Sequence, residues 1–326
     1  MNLAAKMSAC ITVSLALLGS AQALATTLNW SGYQWTVSNR TGGPGPNNFD
    51  DRNAWVDSNG YLHLKVANRN GVWSSAEIRL ANPALSHFGL YQFHYLGNPA
   101  QLDKNLVLGF FHYPTADVGP DGTNEIDIEF SRWGQDSNPL GNWTVWHMVP
   151  NQYTSHRFEL ADPAGKSTHR YSWQPDSVDY QAIAGHVDAY SSGPLIAKWS
   201  MLPSDPAATK AGPGSTEYGC RSLIPAQCIA QKPQQFMINF WQFQGRVPSN
   251  GQEAEVVLTD FTYIPNGQLP AASCQVNAWD VRTSYPIGAY VRYGNTIYKA
   301  IYPSIATPPI SKAAVNPWQA AAAPAC

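Results

Sequence analysis

Asn124-Glu125-Ile126-Asp127-Ile128-Glu129-Phe130 is the stretch whose reading decides the fold. Apolar and acidic residues alternate with period two in a β-branched run, the pattern of a half-buried strand. Ile126, Ile128 and Phe130 then face a core, and Glu125, Asp127 and Glu129 share the opposite face. Glutamate is scarce in this chain, yet two fall within five residues here. Three acids on one face repel one another and raise each other's pKa, a cost that a solvated scaffold strand would not need to carry.

Outward from this strand, the region from Thr26 to about Ile264 reads as short strands separated by turn residues. Tyr61 to Val66 alternates cleanly, and Tyr91 to Tyr95, Val107 to His112 and Glu255 to Tyr263 are further strands. Gly, Pro, Asn and Asp punctuate them at Gly42 to Asn48, Pro114 to Asn124 and Pro203 to Pro206. No long amphipathic helical pattern occurs. Many short strands without crossover helices predict an all-β protein, an antiparallel sandwich or jelly roll.

The 326 residues suffice for one large domain and a small one. Hydrophobic residues make up 44 % and charged residues 13 %, which places the chain among globular proteins. A net charge of −2 gives no electrostatic basis for binding nucleic acid or an anionic membrane. The 12 Trp and 16 Tyr suit both the core of a β-sandwich and stacking on sugar faces.

Residues 1–25 read as a secretory signal. Lys6 precedes an apolar run from Ala9 to Leu18, and Ala23-Leu24-Ala25 is a small-residue cleavage site. The protein is expected outside the cytoplasm, extracellular or periplasmic, beginning near Thr26. No stretch is long enough to span a bilayer as an apolar helix. Cys220, Cys228, Cys274 and Cys326 remain after cleavage. Four cysteines in an oxidising compartment allow three pairings. Cys220–Cys228 is favoured as a local clasp and Cys274–Cys326 as a staple on the C-terminal segment. Residues 265–273 form a polar, proline-bearing linker, and residues 274–326 are too few for a large core. That segment is expected to be a small, disulfide-stapled, β-rich module.

A Glu-x-Asp-x-Glu face suits glycosidic bond cleavage, with the two glutamates as nucleophile and acid/base and the aspartate tuning both. A retaining mechanism needs the carboxyls roughly 5–5.5 Å apart, while Cα atoms four residues apart on a strand are about 13 Å apart. The side chains must therefore converge over a concave sheet. A solvated strand face, the commoner reading of an acidic strand taken alone, and a calcium site are the alternatives, though calcium ligands usually come from a loop with backbone carbonyls.

Glu125-Ile126-Asp127-Ile128-Glu129-Phe130 resembles the active-site signature of glycoside hydrolase family 16, secreted β-glucanases and galactanases with a β-jelly-roll fold. The resemblance extends over most of residues 28–264. It includes the glycine-rich loop Gly42 to Asn48, Ser75-Ala76-Glu77-Ile78-Arg79, Phe88-Gly89-Leu90-Tyr91, Tyr171-Ser172-Trp173-Gln174-Pro175-Asp176 and Met237-Ile238-Asn239-Phe240-Trp241. It implies Glu125 as nucleophile, Glu129 as general acid/base and Asp127 as electrostatic helper, with no cofactor and no metal. The spacing without an extra residue between Asp127 and Glu129 resembles the lichenase and xyloglucan-transglycosylase branch.

Substrate contacts are expected from Asn47 in the glycine-rich loop, from Trp133 just past the acidic strand, and from Asn239 and Trp241. Trp143 and His147 lie on the next expected strand and adjoin the carboxylates if the two strands pair, and His147 is expected to hydrogen-bond substrate. His169 is read as a scaffold residue. Residues 274–326 resemble the small chitin-binding type 3 modules of carbohydrate-binding families 5 and 12. The matching pieces are Ala278-Trp279, Tyr285 to Gly288, Val291 to Asn295, Tyr298-Lys299-Ala300 and Trp318. The adjacent aromatic pair of such modules reads here as Tyr302-Pro303, so half of that platform is missing. Tyr302 and Trp318 are the expected polysaccharide contacts, and Trp279 is read as core.

The expectation is a monomeric, secreted, retaining endo-β-glucanase whose only partner is a polysaccharide, tethered by its C-terminal module. A transglycosylase, a hydrolase of galactan or chitin-containing glucan, and a non-catalytic jelly-roll lectin are the alternatives.

Overall fold

The computed structural model describes residues 26–82, 86–160, 164–203, 220, 225–266, 279–293, 296–311 and 316–321. Residues 1–25, read as a signal, and most of the expected linker lie outside these residues, as does the expected Cys274–Cys326 pairing.

Two eight-stranded antiparallel sheets face each other as a jelly-roll sandwich. Ile126–Phe130 sits inside the first sheet, between Leu106–Tyr113 and Gly141–Trp146. Gln235–Gln242 and then Ala76–Leu80 continue the sheet on one side, and Tyr153–Phe158 ends it on the other. Gly89–Leu96, Lys166–Trp173 and Ala254–Pro265 form the centre of the second sheet. The strand Ala254–Pro265 runs one residue past the boundary expected at Ile264.

The alternation in the acidic strand is realised as read. Ile126, Ile128 and Phe130 are buried between the sheets with Phe93, Phe110, Tyr171 and Phe236. Burying each such side chain contributes roughly 1.5–3 kcal/mol, enough to fix which face turns inward. The rings interlock edge-on and tilted, as with Phe110 against Phe236 at 4.7 Å and Phe93 against Phe110 at 4.3 Å.

Helix is confined to one four-residue turn, Pro225–Cys228, and short 3-10 turns among the described residues. None of the described helices is long and apolar enough to cross a membrane. Cys220 and Cys228 form the expected local disulfide, with Cα atoms 5.7 Å apart.

The C-terminal segment is β-rich. Tyr290–Tyr293, Thr296–Ala300 and Trp318–Ala321 make a three-stranded sheet, and Ser284–Tyr285 pairs with Ser304–Ile305. Tyr285, Ala289, Val291, Ala300 and Trp318 form its own core, with Trp279 packed against it as read from the sequence.

Candidate active site

Strand register sets the site. Across the first sheet, Glu77, Asn239, Gly109, Glu129, Asn142 and Arg157 are successive partners in one row. The next row holds Arg79, Met237, Phe111, Asp127, Thr144 and Ser155. Paired residues in adjacent strands project to the same side, so these rows floor one face. Glu125, Asp127 and Glu129 all line the cleft on that face, which encloses about 810 Å³. Asp127 and Glu129 on the strand, with Glu125 immediately before it, bring the three acids of the alternating run to one cleft.

Both ends of the acidic strand turn sharply. Asn124 has a left-handed backbone (φ 57°), its N–H donates to His147 O at 3.0 Å, and its carbonyl accepts from Gln234 Nε2 at 2.7 Å. At the other end Trp133 is left-handed too (φ 51°), a conformation that costs a bulky residue energy and needs external support. That support is visible. The Trp133 N–H donates to Ser131 Oγ at 3.0 Å, and its indole N–H donates to Asn142 Oδ1 at 3.1 Å. The ring lines the cleft against Phe243 and Trp241, with centroids 5.4 and 6.5 Å away.

Trp146 is the site residue that the sequence reading missed. Its N–H donates to Glu125 O at 2.8 Å, continuing the ladder, and its indole N–H donates to Asp127 Oδ2 at 3.0 Å. Tyr153 packs on the ring at 4.8 Å. The signal was present, because Asn142, Thr144 and Trp146 alternate onto the carboxylate face.

Desolvation raises all three carboxyls above their usual range. Asp127 is 3 % exposed and is pushed well up, first by burial and then by the charges of Glu125 and Glu129. No N–H or O–H donor points at its buried Oδ1. The Glu125 and Asp127 side chains act on each other's titration as hydrogen-bond partners, and two carboxyls bond only across a shared proton. A proton kept on Asp127 and donated to Glu125 satisfies both and favours charge on Glu125. Burial and the charges of Glu129 and Asp121 push the other way on Glu125, while Arg157 draws Glu129 down against its burial. Glu125 is pushed up to about 8 and Glu129 up to about 7, so the two neighbouring carboxyls hold about one proton between them in this range.

Of the expected sugar contacts, Trp133, Asn239 and Trp241 line the cleft. Asn47 does not, and this corrects its expected role. Its Nδ2 donates to Pro44 O at 2.6 Å and Gln242 O at 3.0 Å, and its Oδ1 accepts from Ser75 Oγ and Gln242 N. With both amide atoms occupied it ties the glycine-rich loop down, and Gly43 and Pro44 line the cleft instead. His147 is also corrected. The strands pair as expected, but His147 lies past the strand end, 2 % exposed, with Nε2 on Thr154 Oγ1 at 2.9 Å. Burial pushes its pKa down to about 4, so it stays neutral. Trp143 is the register partner of Ile128 and faces the core, stacked on Tyr180. His169 is buried against Phe93 and Phe130, as a scaffold residue should be.

In the C-terminal segment Tyr302 is 53 % exposed and Trp318 is 4 % exposed. Trp318 Nε1 donates to Thr307 O at 2.8 Å and its ring meets Tyr285 edge-on at 5.1 Å. It is a core residue, which corrects its expected contact with polysaccharide; Tyr302 remains available.

Glu77 and Arg40 also went unread as a pair. Arg40 Nη2 meets both oxygens of the buried Glu77 at 2.8 and 2.9 Å, Ser38 Oγ donates to the same carboxylate at 2.7 Å, and both residues line the cleft. Their separation in sequence hid the contact. Among the described residues no group of His, Cys, Asp and Glu is arranged to hold a metal ion.

No protein-family model matches the chain, and no curated protein matches it. Solved structures do. The chain is similar to a β-glucanase of Bacillus licheniformis at 18 % identity, over 72 % of this chain and 94 % of that one, with a TM-score of 0.48. A glycosyl hydrolase family 16 protein from Mycobacterium smegmatis is similar at 17 % identity, over 69 % and 89 %, with a TM-score of 0.44. An immunostimulatory antigen described as a pseudo β-1,3-glucanase of Mycobacterium tuberculosis is similar at 15 % identity, over 69 % and 88 %, with a TM-score of 0.46. The structural neighbours of this two-sheet β fold are thus β-glucanases and their family 16 relatives, at low sequence identity.

Proposed function

We propose that the chain is a retaining endo-β-glucanase that cleaves β-1,3/1,4-linked glucan by double displacement. The observation that carries this reading is the trio Glu125, Asp127 and Glu129 lining one cleft, two of them on one strand face and Glu125 just before it, with all three carboxyls raised by burial. The resemblance of the signature supplies the roles. Glu125 attacks the anomeric carbon while Glu129 gives its proton to the leaving glycosidic oxygen, and that C–O bond breaks. Glu129, now charged, takes a proton from water as the water attacks the anomeric carbon and expels Glu125. Asp127 holds Glu125 by a shared proton and is itself held by Trp146. Trp133 and Trp241 offer ring faces and edges to the sugars on the Glu129 side.

The proposal extends to the setting. The signal-like N-terminus supports export, and the exposed Tyr302 supports a C-terminal segment that touches the same polysaccharide. The test is to incubate the protein with lichenan, laminarin, galactan and chitin-containing glucan, and to follow new reducing ends and their anomeric form by NMR. New ends that first appear in the β form are expected on a β-glucan. No cleavage on any polymer, or products of inverted configuration, overturns the reading.

A further inference from the structure

Two polar groups in the cleft lack partners, and they are complementary. Asn239 is 2 % exposed, yet no donor reaches its buried Oδ1. An unpaired acceptor costs about 1–3 kcal/mol, so such groups are normally satisfied by something. Glu129 has no hydrogen-bond partner among the described residues, and burial keeps it protonated well above the usual carboxylate range. One group is an acceptor without a donor. The other carries an O–H without an acceptor.

Geometry brings them toward each other. Asn239 and Glu129 lie in the same row, separated only by Gly109. Two strand spacings put their Cα atoms about 10 Å apart. The asparagine amide leans across the gap: a Cβ placed on Gly109 would stand 2.5 Å from Asn239 Oδ1 and 3.6 Å from its Cγ. The slot over Gly109 is thus filled by the Asn239 carbonyl, which points from its own strand toward the strand of Glu129.

We propose that Asn239 is a positioning residue for Glu129, its Oδ1 accepting the carboxylic O–H and so fixing the acid's rotamer and proton, with Gly109 as the empty position that lets the two meet. Asp127 and Asn239 then act as a pair of opposites. Asp127 donates to Glu125 and favours its charge, whereas Asn239 accepts from Glu129 and favours its proton. This favours the proton on the residue that must deliver it, against burial and neighbouring charge, which push Glu125 up to about 8 and Glu129 to about 7. The inference rests on the proposed role of Glu129, but its test reads the proton itself.

The charged groups facing Glu129 are Glu125 and Asp127 on its own strand, Arg157 two strands away, and Glu77 with Arg40 beyond Asn239. Asp121 lies toward Glu125. None of them is altered by the variants below. A hydrogen bond accepted from the neutral acid raises its pKa.

The experiment is a carboxyl ¹³C NMR titration of Glu129 in the wild type, Asn239→Ala and Gly109→Ala, with folding checked by circular dichroism. Both variants are expected to lower the Glu129 midpoint by roughly half a unit to one unit, since one neutral hydrogen bond is lost. In the wild type the Asn239 side-chain carbonyl should shift with the same midpoint, a measurement that needs no variant. The alkaline limb of kcat/KM should move to lower pH in step. An unmoved Glu129 midpoint in Asn239→Ala means that Asn239 serves the sugar alone and overturns the proposal. An upward shift means that its N–H faces a charged Glu129, and also overturns it. Loss of all glucanase activity with a normal Glu129 titration would instead count against the catalytic reading.

Discussion

The indole N–H of Trp146 reaches Asp127 Oδ2 at 3.0 Å from the neighbouring strand, so the middle carboxyl of the trio is held from outside its own strand. Asp127 cannot rotate away from Glu125 without leaving that N–H unpaired. Trp146→Phe keeps the ring against Tyr153 and removes only the donor. It is expected to lower kcat about tenfold, the equivalent of one hydrogen bond of roughly 1.5 kcal/mol. Thermal unfolding should change little. Steady-state kinetics beside a melting curve check this.

The two glutamates should fail in different ways. Glu125→Gln removes the nucleophile and is expected to cost on the order of 10⁴-fold or more in kcat on every substrate. Glu129→Gln removes the proton donor, which matters least when the leaving group needs no proton. Aryl glycosides with acidic phenols should therefore still form the glycosyl-enzyme in that variant, followed by a burst of phenol. Equal losses on polymer and activated substrate would reverse the roles.

Activity should follow a bell in pH, with its maximum between about 7 and 8. Below about pH 7 both glutamates hold protons and the nucleophile is lost. Above about pH 8 both are charged and the acid is lost. Raised carboxyl pKa values also cost stability as pH rises, because folding must then desolvate charges that the unfolded chain keeps in water. From the unfolded carboxylate range near pH 4 up to about pH 8 the site should grow steadily less favourable. Asp127→Asn should flatten that part of the stability curve, measured by urea unfolding across pH.

In the C-terminal segment, Tyr302 and Trp318 separate contact from packing. Tyr302→Ala should weaken retention on insoluble polysaccharide and leave the segment folded. Trp318→Ala empties the centre of a small core and should unfold it, at a cost of about 3–5 kcal/mol. Pull-down with insoluble glucan and chitin, with tryptophan fluorescence as the folding readout, tests both.

The alternation of Ile126 to Phe130 made the strand and its two faces legible, because period two has one structural meaning when one face must be buried. Trp133, Asn239 and Trp241 could be read from the motifs around them. Asn47 and His147 were misread because a hydrogen-bonding side chain looks the same in sequence whether it faces a ligand or a backbone carbonyl. Asn47 spends its amide on Pro44 and Gln242, 195 residues apart from the latter in sequence. The Arg40–Glu77 pair and the hold of Trp146 on Asp127 are long-range contacts that only register reveals. Trp318 was read as a contact since an aromatic in a small module can serve as core or platform, and here the core claimed it.

The acidic strand is clamped between two left-handed residues, Asn124 and Trp133, each tied down by its own hydrogen bonds. It therefore behaves as a ruler of fixed length. Inserting one residue between Asp127 and Glu129 would turn Glu129 from the cleft into the hydrophobic layer, unless the extra residue were expelled as a bulge. Deleting one would have the same effect. Evolution can thus exchange the aromatic walls and loops around this cleft freely. It can change the length of the strand itself only by adding a whole bulge.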